Sequence, residues 1–186
     1  MRQMDLLIAG CVLAIAVADG PATRVRSTNG EMLKLIAEGR DKSPTFNNVV
    51  DAIDRSNGIV YVEFGYCAFG HLNGCLLPFV GAVGSERYLR VIVSPDRNQR
   101  SHDQLLAVIA HELRHAKEVL DHPEVVDVAT LEAMFRKIGV PARSVSGYET
   151  EAARAAGDAV LRELSRPAAV ARQPREYVIS RARPVF

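Results

Sequence analysis

The stretch DQLLAVIAHELRHAKEVL, residues 103–120, decides how the rest of the chain is read. Leu105, Leu106, Ile109, Leu113, Ala116 and Leu120 recur at three- and four-residue steps, so they share one face of an α-helix. Ser101 or Asp103 can cap its start, and Pro123 cannot continue it. On such a helix His111 and His115 stand one above the other, and their imidazoles can converge on one point. Glu112 is offset enough to stay out of a shared ligand sphere, yet close enough to take a proton from a water held there. Ala107, Val108, Ile109 and Ala110 come directly before His111 and give it an apolar neighbourhood. A solvated histidine pair would sit among charges.

This spelling, H-E-x-x-H on a helix, is a zinc-binding pattern with the glutamate as general base. A catalytic zinc takes three protein ligands and a water. Asp121 lies where the metzincin pattern has its third ligand, but that pattern needs a glycine at the position held by Glu118. In a continuing helix Asp121 is about 9 Å further along the axis than His115, and His122 shares the difficulty. YETEAARAAGDAVLREL, residues 148–164, offers Glu149 and Glu151 instead. Read as a helix from Tyr148 to Ser165, it places Glu149 with Ala152, Ala153, Ala156, Val160 and Leu164. Glu151 falls among Arg154, Asp158 and Arg162. A carboxylate on a core-facing stripe needs a partner, and a metal is one. The alternative is that Glu149 only favours the positive end of a first helical turn. Glu149 is therefore the preferred third ligand. Two imidazoles and a carboxylate suit Zn2+, although cobalt or nickel can occupy the same ligands.

HELRH followed by a glutamate on a later helix resembles the gluzincin arrangement of zinc metallopeptidases. The resemblance covers roughly residues 59–164. It implies His111, His115 and Glu149 as metal ligands and Glu112 as the general base. It also implies a zincin-like fold, in which a sheet-edge strand holds an extended peptide by backbone hydrogen bonds; LLPFVGAV, residues 76–83, is the candidate edge. The function implied is an exported zinc-dependent metallopeptidase that hydrolyses peptide bonds by metal-activated water. The alternative is a catalytically inactive zincin-like structural or interaction domain; an amidase on a non-peptide substrate would use the same residues. Tyr148 is the first choice to assist at the oxyanion, ahead of Tyr66 and His71. Three features depart from the pattern, one of them the small size of the chain, with no obvious second lobe to form a deep cleft. Thirty-three residues separate His115 from Glu149. Ala153 stands where the thermolysin-like group has an aspartate that orients the first histidine, so a partner for His111 has to come from elsewhere.

Around this centre the chain reads as α+β. NGEMLKLIAEG gives a helix with Met32, Leu35 and Ile36 on one face, stopped by Gly39. SPTFNNVVDAIDRSNG gives a second, capped by Ser43 with Pro44 in its first turn. IVYVEF (59–64), LLPFVGAV (76–83) and RYLRVIV (87–93) read as strands. The GSE connection suggests a hairpin, and Pro78 assigns its strand to an edge. The expected sheet is small and mostly antiparallel, packed with the active-site helix and the glutamate-bearing helix. A further helix is expected from Val126 to Ile138.

The 186 residues suit one domain plus appendages, and a net charge of +1 with 48% apolar residues gives no footprint for nucleic acid. Residues 1–18 read as a signal peptide: Arg2, an apolar run from Leu6, and AVA before Asp19. That run is too short to span a bilayer. LIAGC, ending at Cys11, also resembles a lipobox and offers lipoprotein anchoring as the alternative. Cleavage would leave Cys67 and Cys75, for which a bridge is the expectation in an oxidising compartment. Residues 19–28 read as loose, 19–165 as one domain and 166–186 as a basic tail. The expected partner is a peptide or protein substrate, with no nucleic acid and no stable membrane insertion, in a periplasmic or secreted location.

Overall fold

The structure, a computed structural model, describes residues 23–68, 72–96, 100–141 and 147–166. Residues 1–22, with Cys11 and the segment expected to be a signal peptide, lie outside the described residues, as do His71 and the tail beyond residue 166. Among the described residues five helices pack with a small sheet, an α+β architecture.

Strand β1 (Val25–Arg26) leads to α1 (Gly30–Lys42) and α2 (Pro44–Asp54). β2 (Gly58–Phe64), β3 (Gly74–Leu76), β4 (Gly81–Val83) and β5 (Glu86–Val93) follow. Then come α3 (His102–Asp121), α4 (Val128–Ile138), the two-residue strands β6 (Val140–Pro141) and β7 (Tyr148–Glu149), and α5 (Glu151–Leu164).

The sheet is mixed rather than mostly antiparallel. β1 pairs with β2 and β2 with β5 in parallel, while β3 and β4 both pair antiparallel with β5. The hairpin between 76–83 and 87–93 is present as β4–β5. However, β2 is followed by a crossing to the far edge, and β5 returns between them, which makes the long β2–β5 pairing parallel. The edge segment is broken around Pro78, whose nitrogen has no hydrogen to give to a ladder. Leu77 still donates to the Arg90 carbonyl at 2.9 Å before the break. Residues 25–26 are not loose: Val25 is buried and pairs with Val60.

Alternation along the strands sends Val60, Val62, Leu89, Val91 and Val93 into one core with the helices. Glu63 and Arg90 pair on the opposite face. Gly39 does not end α1. It is buried inside the helix, where a Cβ would lie 2.6 Å from the Phe46 ring, so it is a site of close packing against α2 rather than a stop. The helix ends instead where Ser43 becomes the N-cap of α2.

α3 lies in the middle of this arrangement. Its start carries a capping box, with Ser101 Oγ accepting from the Gln104 amide and Gln104 Oε1 from the Ser101 amide. Leu105, Leu106, Ile109, Leu113, Ala116 and Leu120 are buried as their periodicity predicts. Each large apolar side chain contributes about 1.5–3 kcal/mol by leaving water. The C-terminus is held by a buried cation. Arg87 on β5 donates to the carbonyls of Val119 (3.1 Å), Leu120 (2.6 Å) and His122 (2.8 Å), and to Asn57 Oδ1. A guanidinium there satisfies carbonyls that no helical amide can reach, at the negative end of the helix dipole.

A second polar tie joins α5 to α2. Glu163 accepts from Ser43 Oγ, Thr45 N and Thr45 Oγ1 at 2.5, 3.1 and 2.6 Å. Burial pushes its carboxyl upward, but these hydrogen bonds outweigh burial and hold it below the ordinary carboxylate range.

Arg87→Met should lower the unfolding free energy in urea by about 3 kcal/mol, because it strands buried carbonyls. Glu163 has a depressed folded-state pKa, so its contribution is fully present above the ordinary carboxylate range and lost as pH falls through the folded value. Glu163→Gln should therefore flatten the acid limb of stability against pH, measured by thermal melts.

Candidate metal centre

His111 and His115 leave α3 on adjacent turns, with ring centroids 4.9 Å apart in an edge-to-face arrangement. Glu149 meets them from the other side. Its Oε2 lies 3.5 Å from His111 Nε2, and its Oε1 lies 3.5 Å from His115 Nε2. One ligand atom from each of the three residues falls within 4.8 Å of the others, so the group can hold a metal ion.

The structure corrects the route by which Glu149 arrives. Residues 148–149 are not the first turn of α5 but strand β7, paired with β6. The helix begins at Glu151, with Thr150 as N-cap accepting from the Ala153 amide at 3.1 Å. Helical periodicity thus does not extend back to Glu149, and Glu149 is not the cap either. The stripe of Ala153, Ala156 and Val160 is buried, as its pattern requires. Their small size lets α5 lie close to α3, with Gly157 facing His111. Glu151 points to solvent, its side chain 94% exposed beside Arg154. Asp121 pairs with Lys117, and His122 with Glu124.

Glu112 is buried against the sheet edge. A Cβ on Gly74 would lie 2.8 Å from Glu112 Cγ, so the absence of a side chain there is what admits the carboxylate beside β3. Burial pushes the Glu112 carboxyl up to about 7; opposing this are His115 and a hydrogen bond from the Leu76 backbone, while the charge of Glu149 adds to it. Burial and then the neighbouring His115 lower the His111 pKa, with the charges of Glu149 and Glu118 acting against them. His115 moves the other way, up to about 9: burial opposes the charge, but hydrogen bonds to Glu118 and Glu149 prevail. Burial also works against ionised Glu149, yet the two histidines hold its pKa down.

Two members of this group were not assigned a role from sequence. Glu118 Oε2 is 3.1 Å from His115 Nδ1, and Thr150 Oγ1 donates to both Glu118 oxygens at 2.9 and 3.1 Å. The available signal was the recurrence of Glu112, His115 and Glu118 every three residues beside the apolar stripe. In the sequence alone, position 118 stands out only as the place where the metzincin pattern has a glycine.

His111, Glu112, His115 and Glu149 floor a groove of about 730 Å³. One wall is β3 with Leu76, Leu77 and Pro78, and the other is α4 with Val128, Leu131 and Phe135. Phe135 also meets the His115 ring edge-on at 5.5 Å. Tyr148 lines the same groove, with its hydroxyl accepting from Arg136 at 3.3 Å. Tyr66 is 73% exposed. A Cys67–Cys75 disulfide, spanning eight positions, anchors β3 at the rim. No protein-family model, curated protein or solved structure matches the chain.

Closing a loop of this length restricts the unfolded chain by roughly 2.5 kcal/mol. The Cys67→Ser/Cys75→Ser double variant should lose stability of that order in urea unfolding.

Proposed function

We propose that the chain is a small, gluzincin-like zinc metallopeptidase with a zincin-like fold. The observation that carries this reading is the convergence of His111, His115 and Glu149 with Glu112 beside them on the floor of an open groove. The donor set fits zinc: two imidazole nitrogens and one carboxylate leave a tetrahedral ion a fourth position. When bound, the ion supplies Lewis acidity, which activates a water and polarises a carbonyl.

The protein's own side chains do the rest. Glu112 takes the proton from the attacking water and can return it to the leaving amine, the work of a general base and then acid. Its place between the ligand pair and β3 suits both transfers. Among the described residues β3 pairs only with β5, so its outer side can receive an extended peptide by strand addition. The apolar walls favour a peptide with bulky apolar side chains near the scissile bond. Tyr148 lines the groove and is the group proposed to assist at the oxyanion. The Cys67–Cys75 bridge supports an exported location. No helix among the described residues is long and apolar enough to cross a membrane.

Metal analysis of the purified chain by mass spectrometry tests the reading. One zinc per chain is expected, lost in Glu149→Ala and kept in Glu151→Ala. Glu112→Gln should keep the zinc and lose at least about 100-fold in kcat on a fluorogenic apolar peptide. No stoichiometric metal would overturn the site. Bound zinc with no hydrolysis of a diverse peptide library would favour the inactive, structural domain.

A further inference from the structure

Glu118 and Thr150 belong to no ligand set and touch no groove wall, yet both are buried charged or polar groups at the centre of the molecule. Glu118 is 6% exposed and Thr150 is 2% exposed. Burying a carboxylate is costly unless it is hydrogen-bonded. Each of its oxygens has a definite partner. Oε2 faces His115 Nδ1, both oxygens receive the Thr150 hydroxyl, and Arg114 Nε stands 3.7 Å from Oε1.

We propose that Glu118 and Thr150 form a positioning pair that aligns the second histidine and the distant glutamate of the metal site. The inference rests on the metal-site reading above. Glu118 lies three residues after His115 on α3, the spacing at which helix neighbours meet. With Nδ1–H directed at Glu118, the His115 ring presents Nε2 toward Glu149, where it lies 3.5 Å from Oε1. Thr150 carries the constraint to the other ligand. Its hydroxyl has one hydrogen, given to Glu118, and its oxygen accepts the Ala153 amide as the N-cap of α5. Glu149 is the preceding residue, and its Oε1 accepts from the Thr150 amide at 2.9 Å. A single threonine therefore fixes the start of α5, the Glu118 carboxylate and the backbone that delivers Glu149. Glu118 and Thr150 are positioning residues; neither is placed to touch substrate.

The test is metal affinity, measured by competition for Zn2+ against a chromophoric chelator, with thermal melts of the metal-free chains alongside. Glu118→Leu and Thr150→Val should each bind zinc about 10–100-fold more weakly than the parent. Because the two act as one unit, the double variant should lose little more than the weaker-binding single variant. Thr150→Ser keeps the hydroxyl and should stay within about threefold of the parent, tested on a chain that remains folded whatever Thr150→Val does. Variants with lowered melting temperatures but parental zinc affinity would overturn the pair as a positioning device and leave the metal site standing. An equal loss in Thr150→Ser and Thr150→Val would also overturn it, since the hydroxyl would not be the cause. A parent chain that binds no zinc would overturn the metal site and this inference together.

Discussion

Three ionisable side chains, Glu112, His115 and Glu118, lie three residues apart along a helix whose surroundings are apolar, and all three are buried. Taking such groups out of water is unfavourable unless each finds a partner of suitable geometry. The fold supplies those partners from separate elements. β3 brings an open space at Gly74 to Glu112. The start of α5 brings Thr150 to Glu118, and β7 brings Glu149 to the histidines. The polar centre can exist only while strand edge, central helix and last helix are all in place.

Positioning of α3 is correspondingly over-determined. Its apolar face is held by the sheet and by α1, α2 and α5. Its N-terminus is closed by a capping box and its C-terminus by the Arg87 guanidinium. A helix fixed at both ends and along one face cannot rotate to relieve a misplaced histidine, so precision at the site is a property of the core. The close approach of α5 has the same effect. Small residues at 153, 156 and 157 bring its backbone near His111, where a larger side chain would hold the helices apart.

The groove has two walls of different origin. β3 is a short edge segment, pinned to β5 by backbone pairing and to Cys67 by the disulfide. α4 is held mainly by the buried Leu131 and Met134, with Phe135 reaching the His115 ring. Among the described residues one wall is an edge strand without a second strand partner, and the other is a helix face of apolar side chains. On the proposed reading, that division suits an extended, apolar ligand better than a compact polar one.

Sequence alone determined the features that depend on local spacing. The helix over 103–120, its buried stripe, the adjacency of His111 and His115, the hairpin into β5 and the Ser43 cap all follow from short-range periodicity and hydrogen-bonding preference. The preference for Glu149 over Glu151 rested on helical phase, but Glu149 precedes the helix, and its place is set by the β6–β7 pairing and by Thr150. Tertiary structure decided the rest. The parallel pairing of β2 with β5 depends on where the chain crosses. The packing role of Gly39 depends on Phe46, and the role of Glu118 depends on a hydroxyl 32 positions away. A residue's phase on its own helix shows which way it points. What it meets there is fixed only when distant segments are brought together.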